Sequence, residues 1–450
     1  MKNIFCQVCC LFLQVFRIPH CLLLLIVIPL ILSAQTNRMT LAEVRTKVLL
    51  GNPSVAEQLE RISAAQAVLK QARSAYYPTI TLTGSYGIID ASMHPDFNPT
   101  ARVSDSFRQA SSGLQGNWLL FDGFARSART LAAEYGVRQA REFTDETRRL
   151  LILAATLSFR QAQLAKENIR IAQQDNRFNK ELERDARKRF DAGVIPESDV
   201  NNFSIRALQA EASMLAAELD FSTACTVLAE LMALTEARLP ERMQPVSIHN
   251  ETIGTVALFD ELLQYALINR PDYKALQSGE LALVQRVKAV KGDRLPQIAL
   301  VGEVNYAERD GYASSSRHGN YDSFVGVAAS WDLFTGGRKI NTVKEVQAEL
   351  RALEKQKEAL GLSIRSALRQ RVDEAETVSK ILQRYEKIQE LSTSVRESVQ
   401  KSYRAGVVSI TRLNEAQTDL VRAKGNYLTS YISYLLVLNR LDIETGRVLE

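Results

Sequence analysis

The chain has 450 residues, 46% of them apolar, with 56 Lys+Arg against 51 Asp+Glu. That composition excludes a disordered polymer. A surplus of five positive charges over so long a chain gives no support to nucleic-acid binding.

Residues 21–35 read CLLLLIVIPLILSAQ, behind a weakly basic segment with Lys2, Arg17 and no acids. The apolar run is about a dozen residues, short for a spanning helix, and Pro29 interrupts it. A signal peptide over 1–34, cleaved near Ala34, fits it better than a retained anchor. Cys21 follows Ile18-Pro19-His20 and so lacks the small residue that precedes a lipoprotein cleavage site. Cys6, Cys9, Cys10 and Cys21 would leave with the signal. Cys225 then stands alone in an apolar helical stretch, reads as a small core residue and offers no disulfide or zinc set.

Residues 41–76 are amphipathic, Ala-rich helix material, ended by Pro78. The segment 79–121 reads as a hairpin of two strands. In the first, Ile80, Leu82, Tyr86 and Ile88 alternate with Thr79, Thr81, Thr83 and Ser85. In the second, Leu114, Trp118 and Leu120 alternate with Gln115 and Asn117. Strands of about ten residues suit a tilted bilayer crossing, and the same alternation suits a soluble sheet with one buried face. The intervening 89–112 is expected to be a long loop. Gly123 is expected to bend the strand into a proline-free helix over 124–190, where Phe143, Leu150, Leu157, Leu164, Ile171 and Phe178 recur every seven positions. Such a stripe demands a partner helix. A tip over 191–197 contains Ala192, Gly193 and Val194, with Gly193 ending the helix. Ser198 or Asp199 is a candidate cap for a return helix over 198–234.

After a connector at 235–257 the order repeats over 258–446. Trp118 and Trp331, like Lys188 and Lys401, are 213 positions apart, and Pro53 and Pro271 are 218 apart. The five-residue difference places a longer loop in the first copy. The second copy has a helix at 259–294, a hairpin at 297–334 with a loop at 308–322, the hinge Gly336 and a long helix at 338–404. Its tip, 405–409, carries Ala405, Gly406 and Val407. Ser409 or Thr411 can cap a return helix at 410–440, and 447–450 is a short tail.

Four membrane strands leave unpaired edges, which lipid does not tolerate. Such a chain has to share its barrel with copies of itself; two copies give eight strands and three give twelve, with room for a channel.

Three features together resemble the TolC family of outer-membrane efflux proteins: Ala-Leu-x-Asn-Arg-Pro-Asp at 266–272, the duplicated Trp-x-Leu-Phe-x-Gly at 118–123 and 331–336, and the tips at 191–194 and 404–407. The resemblance covers about 40–446. It implies a mostly α fold with a β-barrel part: a homotrimer whose twelve-stranded outer-membrane barrel continues as a twelve-helix periplasmic α-barrel. It implies a passive duct, working with a periplasmic adaptor and an inner-membrane pump, with no cofactor. The tips would meet the adaptor. Family members often carry acidic residues one turn beyond the second tip; Arg412 and Glu415 match those positions, and an Arg412–Asp199 link between neighbouring helices is an expected entrance contact. Trp118 and Trp331 are expected either in a lipid-facing aromatic belt or at the barrel–helix junction.

Small-molecule efflux is the first reading of cargo and type I protein secretion the second. A periplasmic coiled-coil or adaptor protein would explain the heptads but not the duplicated strands. An enzyme is disfavoured: there is no zinc-protease, P-loop, dinucleotide or nucleophile-elbow motif, and His20, His94, His249 and His318 are scattered. No metal site is expected.

Overall fold

A computed structural model describes residues 38–93, 103–240, 243–247, 258–311 and 318–449. The expected signal peptide, with His20, His94 and His249, lies outside the described residues.

The elements alternate in two matching series. The first is β1 (Arg38–Met39), α1 (Leu41–Gly51), α2 (Pro53–Ser74), β2 (Thr79–Met93), β3 (Val103–Phe121), α3 (Ala125–Asp191) and α4 (Glu197–Leu231). After β4 (Gln244–Pro245) come α5 (Phe259–Asn269), α6 (Pro271–Gly292), β5 (Gln297–Gly311), β6 (His318–Ser330), α7 (Arg338–Arg404) and α8 (Ile410–Thr445). Helices α3 and α7 are each 67 residues long, roughly 100 Å at the α-helical rise.

Local chemistry sets the breaks. Thr40 and Glu43 form a reciprocal capping box on α1. The continuous helix expected over 41–76 is interrupted at Asn52, whose side chain accepts from Ser54 N while Pro53 starts α2. The helix expected over 259–294 likewise breaks at Arg270, before Pro271. In both places the proline removes the donor the continuing helix would need. The strands exceed the ten residues expected: they run 15, 19, 15 and 13 residues and take up much of the segments read as loops at 89–112 and 308–322. Polar residues such as Ser104, Asp105, Asp322 and Asn320 read as loop, yet extended backbone pairing carries them.

The sheet is antiparallel with order β2-β3-β5-β6, so β2 and β6 are its unpaired edges. The helices repeat that order beneath it: α2 packs on α3, α3 on α6, and α6 on α7. Farther from the sheet, α4 pairs with α3, α8 with α7, and α3 with α8.

Two apolar cores clamp the middle. Val44 and Val48 of α1 meet Phe159 of α3 and Leu228 of α4. Leu262, Leu263 and Ala266 of α5 meet Ile364 and Leu368 of α7 and Leu441 of α8. Truncating a buried leucine such as Leu228 or Leu368 to Ala costs about 2–5 kcal/mol. Cys225 is half-buried, and desolvation pushes its thiol up.

Candidate functional site

The sheet sorts its side chains by face. Ile80 pairs with Gly116, Leu82 with Leu114 and Tyr86 with Ala110. On the same face Trp118 pairs with Leu300 and Leu114 with Val304, and Leu300 in turn pairs with Val327 and Gly302 with Val325. This face is apolar and open: Leu82 is 77% exposed and Val325 79%. The opposite face carries Thr81, Thr83, Gln115, Asn117, Glu303, Asn305 and Asp322. Ser85 and Ser111 share a hydrogen bond there (2.7 Å), and Asn305 donates to Glu303. An apolar sheet face this large and uncovered calls for lipid or another protein surface.

Where strand becomes helix, both repeats use two consecutive left-handed residues. Gly123 (φ 65°) is followed by Phe124 (φ 64°), and Gly336 (φ 60°) by Gly337 (φ 81°). The Trp-x-Leu-Phe-x-Gly motif identified the first residue of each pair; the second was missed, because Phe124 gives no sign of a positive φ. Asp122, 4% exposed, accepts from Arg126 N at 2.7 Å and closes the first turn of α3. Arg126 then ties three segments together, donating to Ala75 O (3.1 Å), Leu119 O (2.7 Å) and Leu120 O (3.2 Å), with its guanidinium 4.5 Å above the Tyr76 ring. The second repeat replaces this with a Lys339–Asp332 pair at 3.1 Å.

The two tryptophans occupy equivalent places. Trp118 Nε1 donates to Tyr76 O at 2.9 Å, and Trp331 Nε1 to Arg294 O at 3.0 Å. Each indole thus joins the end of its hairpin's second strand to the chain just past the preceding helix, where sheet and helices meet.

The tips are two copies of one turn. Gly193 N donates to Phe190 O and Val194 N to Arg189 O; Gly406 N donates to Tyr403 O and Val407 N to Ser402 O. With Gly193 at φ 74° and Gly406 at φ 76°, each is a Schellman closure. Val194 and Val407 project into solvent, 70% and 77% exposed. Behind them Phe178, Leu182, Phe203 and Leu413 pack the two hairpins together, and Arg189 lies 5.2 Å over the Tyr403 ring.

The return helices start differently from expectation. The N-cap of α4 is Pro196, with no side-chain cap, so neither Ser198 nor Asp199 fills that role. Ser409 does cap α8, accepting from Arg412 N. The expected Arg412–Asp199 link is not made within the chain. Arg412 Nη1 binds Glu415 Oε2 at 3.2 Å, one turn along its own helix, which is the nearer carboxylate.

The Asn269-Arg270-Pro271-Asp272 stretch acts at mid-height. Arg270 binds Asp272 through Nε (3.0 Å) and Nη2 (2.7 Å), and its Nη1 reaches Glu444 O at 3.2 Å. Arg149, 5% exposed, binds Glu146 through two nitrogens (2.8 and 2.7 Å) and reaches Ile443 O at 3.4 Å. Arg371 Nε meets Glu444 Oε1 at 3.1 Å. Burial raises the Asp272 pKa, but the Arg270 hydrogen bonds, the Arg270 and Arg149 charges and the Tyr273 N–H outweigh it and hold the carboxyl below its ordinary value. Among the described residues no group of three or more His, Cys, Asp or Glu could hold a metal ion.

A family model described as outer membrane efflux protein matches residues 44–234 and 262–446, one stretch in each repeat. The outer membrane efflux protein BepC of Brucella suis biovar 1 (strain 1330) is 25% identical over 280 residues. That match covers 62% of this chain and 57% of BepC, so it spans little more than half the relative's length. The crystal structure of the Campylobacter jejuni CmeC outer membrane channel is similar with a TM-score of 0.73 and 16% identity, over 90% of this chain and 85% of that one. The open state of the Neisseria gonorrhoeae MtrE outer membrane channel gives 0.71 and 17%, over 90% and 88%. At these identities the likeness is one of fold: long helices continued by a small antiparallel sheet.

Proposed function

Because the chain belongs to the outer membrane efflux protein family, we propose that it is the outer-membrane duct of a tripartite efflux system, passing small molecules passively when docked to a periplasmic adaptor and an inner-membrane pump. The observation that carries this reading is the sheet: four strands, one open apolar face, one polar face, two free edges, and 67-residue helices leading straight out of it. Free edges in lipid require partners. Three chains close twelve strands into a barrel wide enough for a channel, with β6 of one chain against β2 of the next.

The helices support the same assembly. Ile205, Leu208, Leu215 and Leu219 form an open apolar stripe on α4, and Ile381, Ile388, Leu391 and Val395 one on α7. Both are spaced for coiled-coil packing against a neighbouring chain. The exposed tips, Ala192-Gly193-Val194 and Ala405-Gly406-Val407, are the adaptor contacts. Asp199, Arg412 and Glu415, in the first two turns of the return helices, set the charge around the periplasmic opening.

The test is the mass of the detergent-extracted protein by light scattering, corrected for bound detergent. A trimer recovered from the outer-membrane fraction is expected. A monomer released by salt alone would overturn the barrel and leave a periplasmic coiled-coil protein.

A further inference from the structure

The groove between α3 and α6, just below the sheet, encloses about 550 Å³. Its walls divide by height. Next to the sheet are Phe124 and Leu295, 72% and 45% exposed. One to two turns farther down α6 are Lys291 and Lys288, three residues apart on one helix face, both exposed. No carboxylate lines the groove, and among the described residues neither ammonium is in an ion pair. The adjacent Asp293 is already held by Arg129 Nη2 at 2.5 Å.

The groove continues the apolar face of the sheet. Phe121 pairs with Ile298, on the face that carries Leu300 and Val304, and its ring stacks edge-on against Phe124 at 5.6 Å. Nor is the groove at an edge of the helix layer, since α2 and α7 are the outer members of the series α2-α3-α6-α7. Assembly through those edges leaves it open.

We propose that this groove binds an anionic phospholipid of the periplasmic leaflet. The acyl chains lie along Phe124, Leu295 and the apolar sheet face above them, and the phosphate sits between Lys288 and Lys291. The match is of both charge and height: Leu295 and Lys288 are seven residues apart, roughly 10 Å along a helix, about the span from upper acyl carbons to a phosphate. The proposal rests on the barrel reading, since only a sheet spanning the membrane puts this groove at the lipid boundary.

The experiment uses the two tryptophans, Trp118 and Trp331, whose indoles sit at the junction. The full chain is reconstituted in phosphatidylcholine vesicles carrying a rising fraction of brominated phosphatidylglycerol, and fluorescence quenching is compared with that by brominated phosphatidylcholine. The expected result is a preference for phosphatidylglycerol of roughly tenfold or more, the size two basic residues supply near an anionic headgroup. It should fall to about one in Lys288→Gln/Lys291→Gln, persist in the control Lys355→Gln/Lys387→Gln, and resist excess inorganic phosphate. Equal quenching by both lipids, a preference unchanged in the groove variant, or displacement by phosphate would overturn the lipid site while leaving the barrel intact. Absence of quenching by either lipid would instead remove the barrel reading and the lipid site with it.

Discussion

Gly123 and Gly292 meet backbone to backbone. A Cβ on Gly123 would lie 2.5 Å from Gly292 O and 2.8 Å from the Leu295 Cβ, and a Cβ on Gly292 would lie 2.5 Å from Gly123 O. At Gly336 a Cβ would meet nothing within 4 Å. The two hinges therefore share a conformation but not an environment: the first is locked against α6, the second is free. Gly123→Ala and Gly292→Ala are expected to lower the thermal unfolding midpoint of the detergent-solubilised assembly strongly. For Gly292 this reverses the gain of about 1 kcal/mol that Gly→Ala brings inside a helix. Gly336→Ala should cost only the left-handed penalty, about 1–2 kcal/mol. Equal losses at all three positions would refute the locked hinge.

Arg126 should be the most costly single truncation at the junction. It donates to three backbone carbonyls from two different elements. Because the site is partly exposed, Arg126→Ala is expected to cost about 2–4 kcal/mol. Lys339→Ala removes one ion pair with a partner 60% exposed and should cost about 1 kcal/mol or less. Unfolding midpoints of the two variants check the ranking.

Asp272 makes stability depend on acid. Its folded pKa lies below the ordinary value, so its contribution is fully present above the unfolded carboxylate pKa and is lost as pH falls through the folded one. Asp272→Asn should destabilise the protein at neutral pH and flatten the decline in unfolding midpoint on acidification. A variant that keeps the wild-type acid slope would assign that slope to other carboxylates.

The tips should separate docking from folding. Val194→Asp with Val407→Asp alters two side chains that project into solvent, so stability should stay within about 0.5 kcal/mol of wild type. Crosslinking to the adaptor should nevertheless fall sharply. Retained crosslinking would move the adaptor contact away from the tips.

Much of this architecture is legible in the residues because it rests on periodicity. Alternation in TITLTGSYGI gives a strand with two faces, and the recurrence of Trp-x-Leu-Phe-x-Gly gives the duplication. What stayed hidden depends on contacts between distant segments. Gly292 closes a helix of mixed polarity and gives no hint that Gly123 lies against it. Arg126 looks like any surface arginine at a helix start, and Phe124 conceals its backbone conformation. The breaks at Asn52 and Arg270 carried a signal, since each precedes a proline. The length of β3 did not, because Ser104, Asp105 and Ser106 read as loop until their cross-strand partners Ser92, Ala91 and Asp90 are known. Within the chain Arg412 pairs with Glu415, three residues away on the same helix, rather than with Asp199.

The clamp at mid-height has a mechanical consequence. Around Phe159 and Arg160, α3 is held by α1, α4 and α8, through Val44, Val48, Leu228 and Asn439. From Arg160 to Asp191 the helix runs on for 191 − 160 = 31 residues, roughly 46 Å. Any swing of that stretch about the clamp carries α4 and α8 with it, since α4 packs along it and Gln417 Nε2 donates to Asp175 Oδ1. A swing of about 5° there displaces the far end by about 4 Å, more than the diameter of a water molecule. Small angular play at the waist would thereby be amplified at the tips, which Phe178, Leu182, Phe203 and Leu413 pack into one unit.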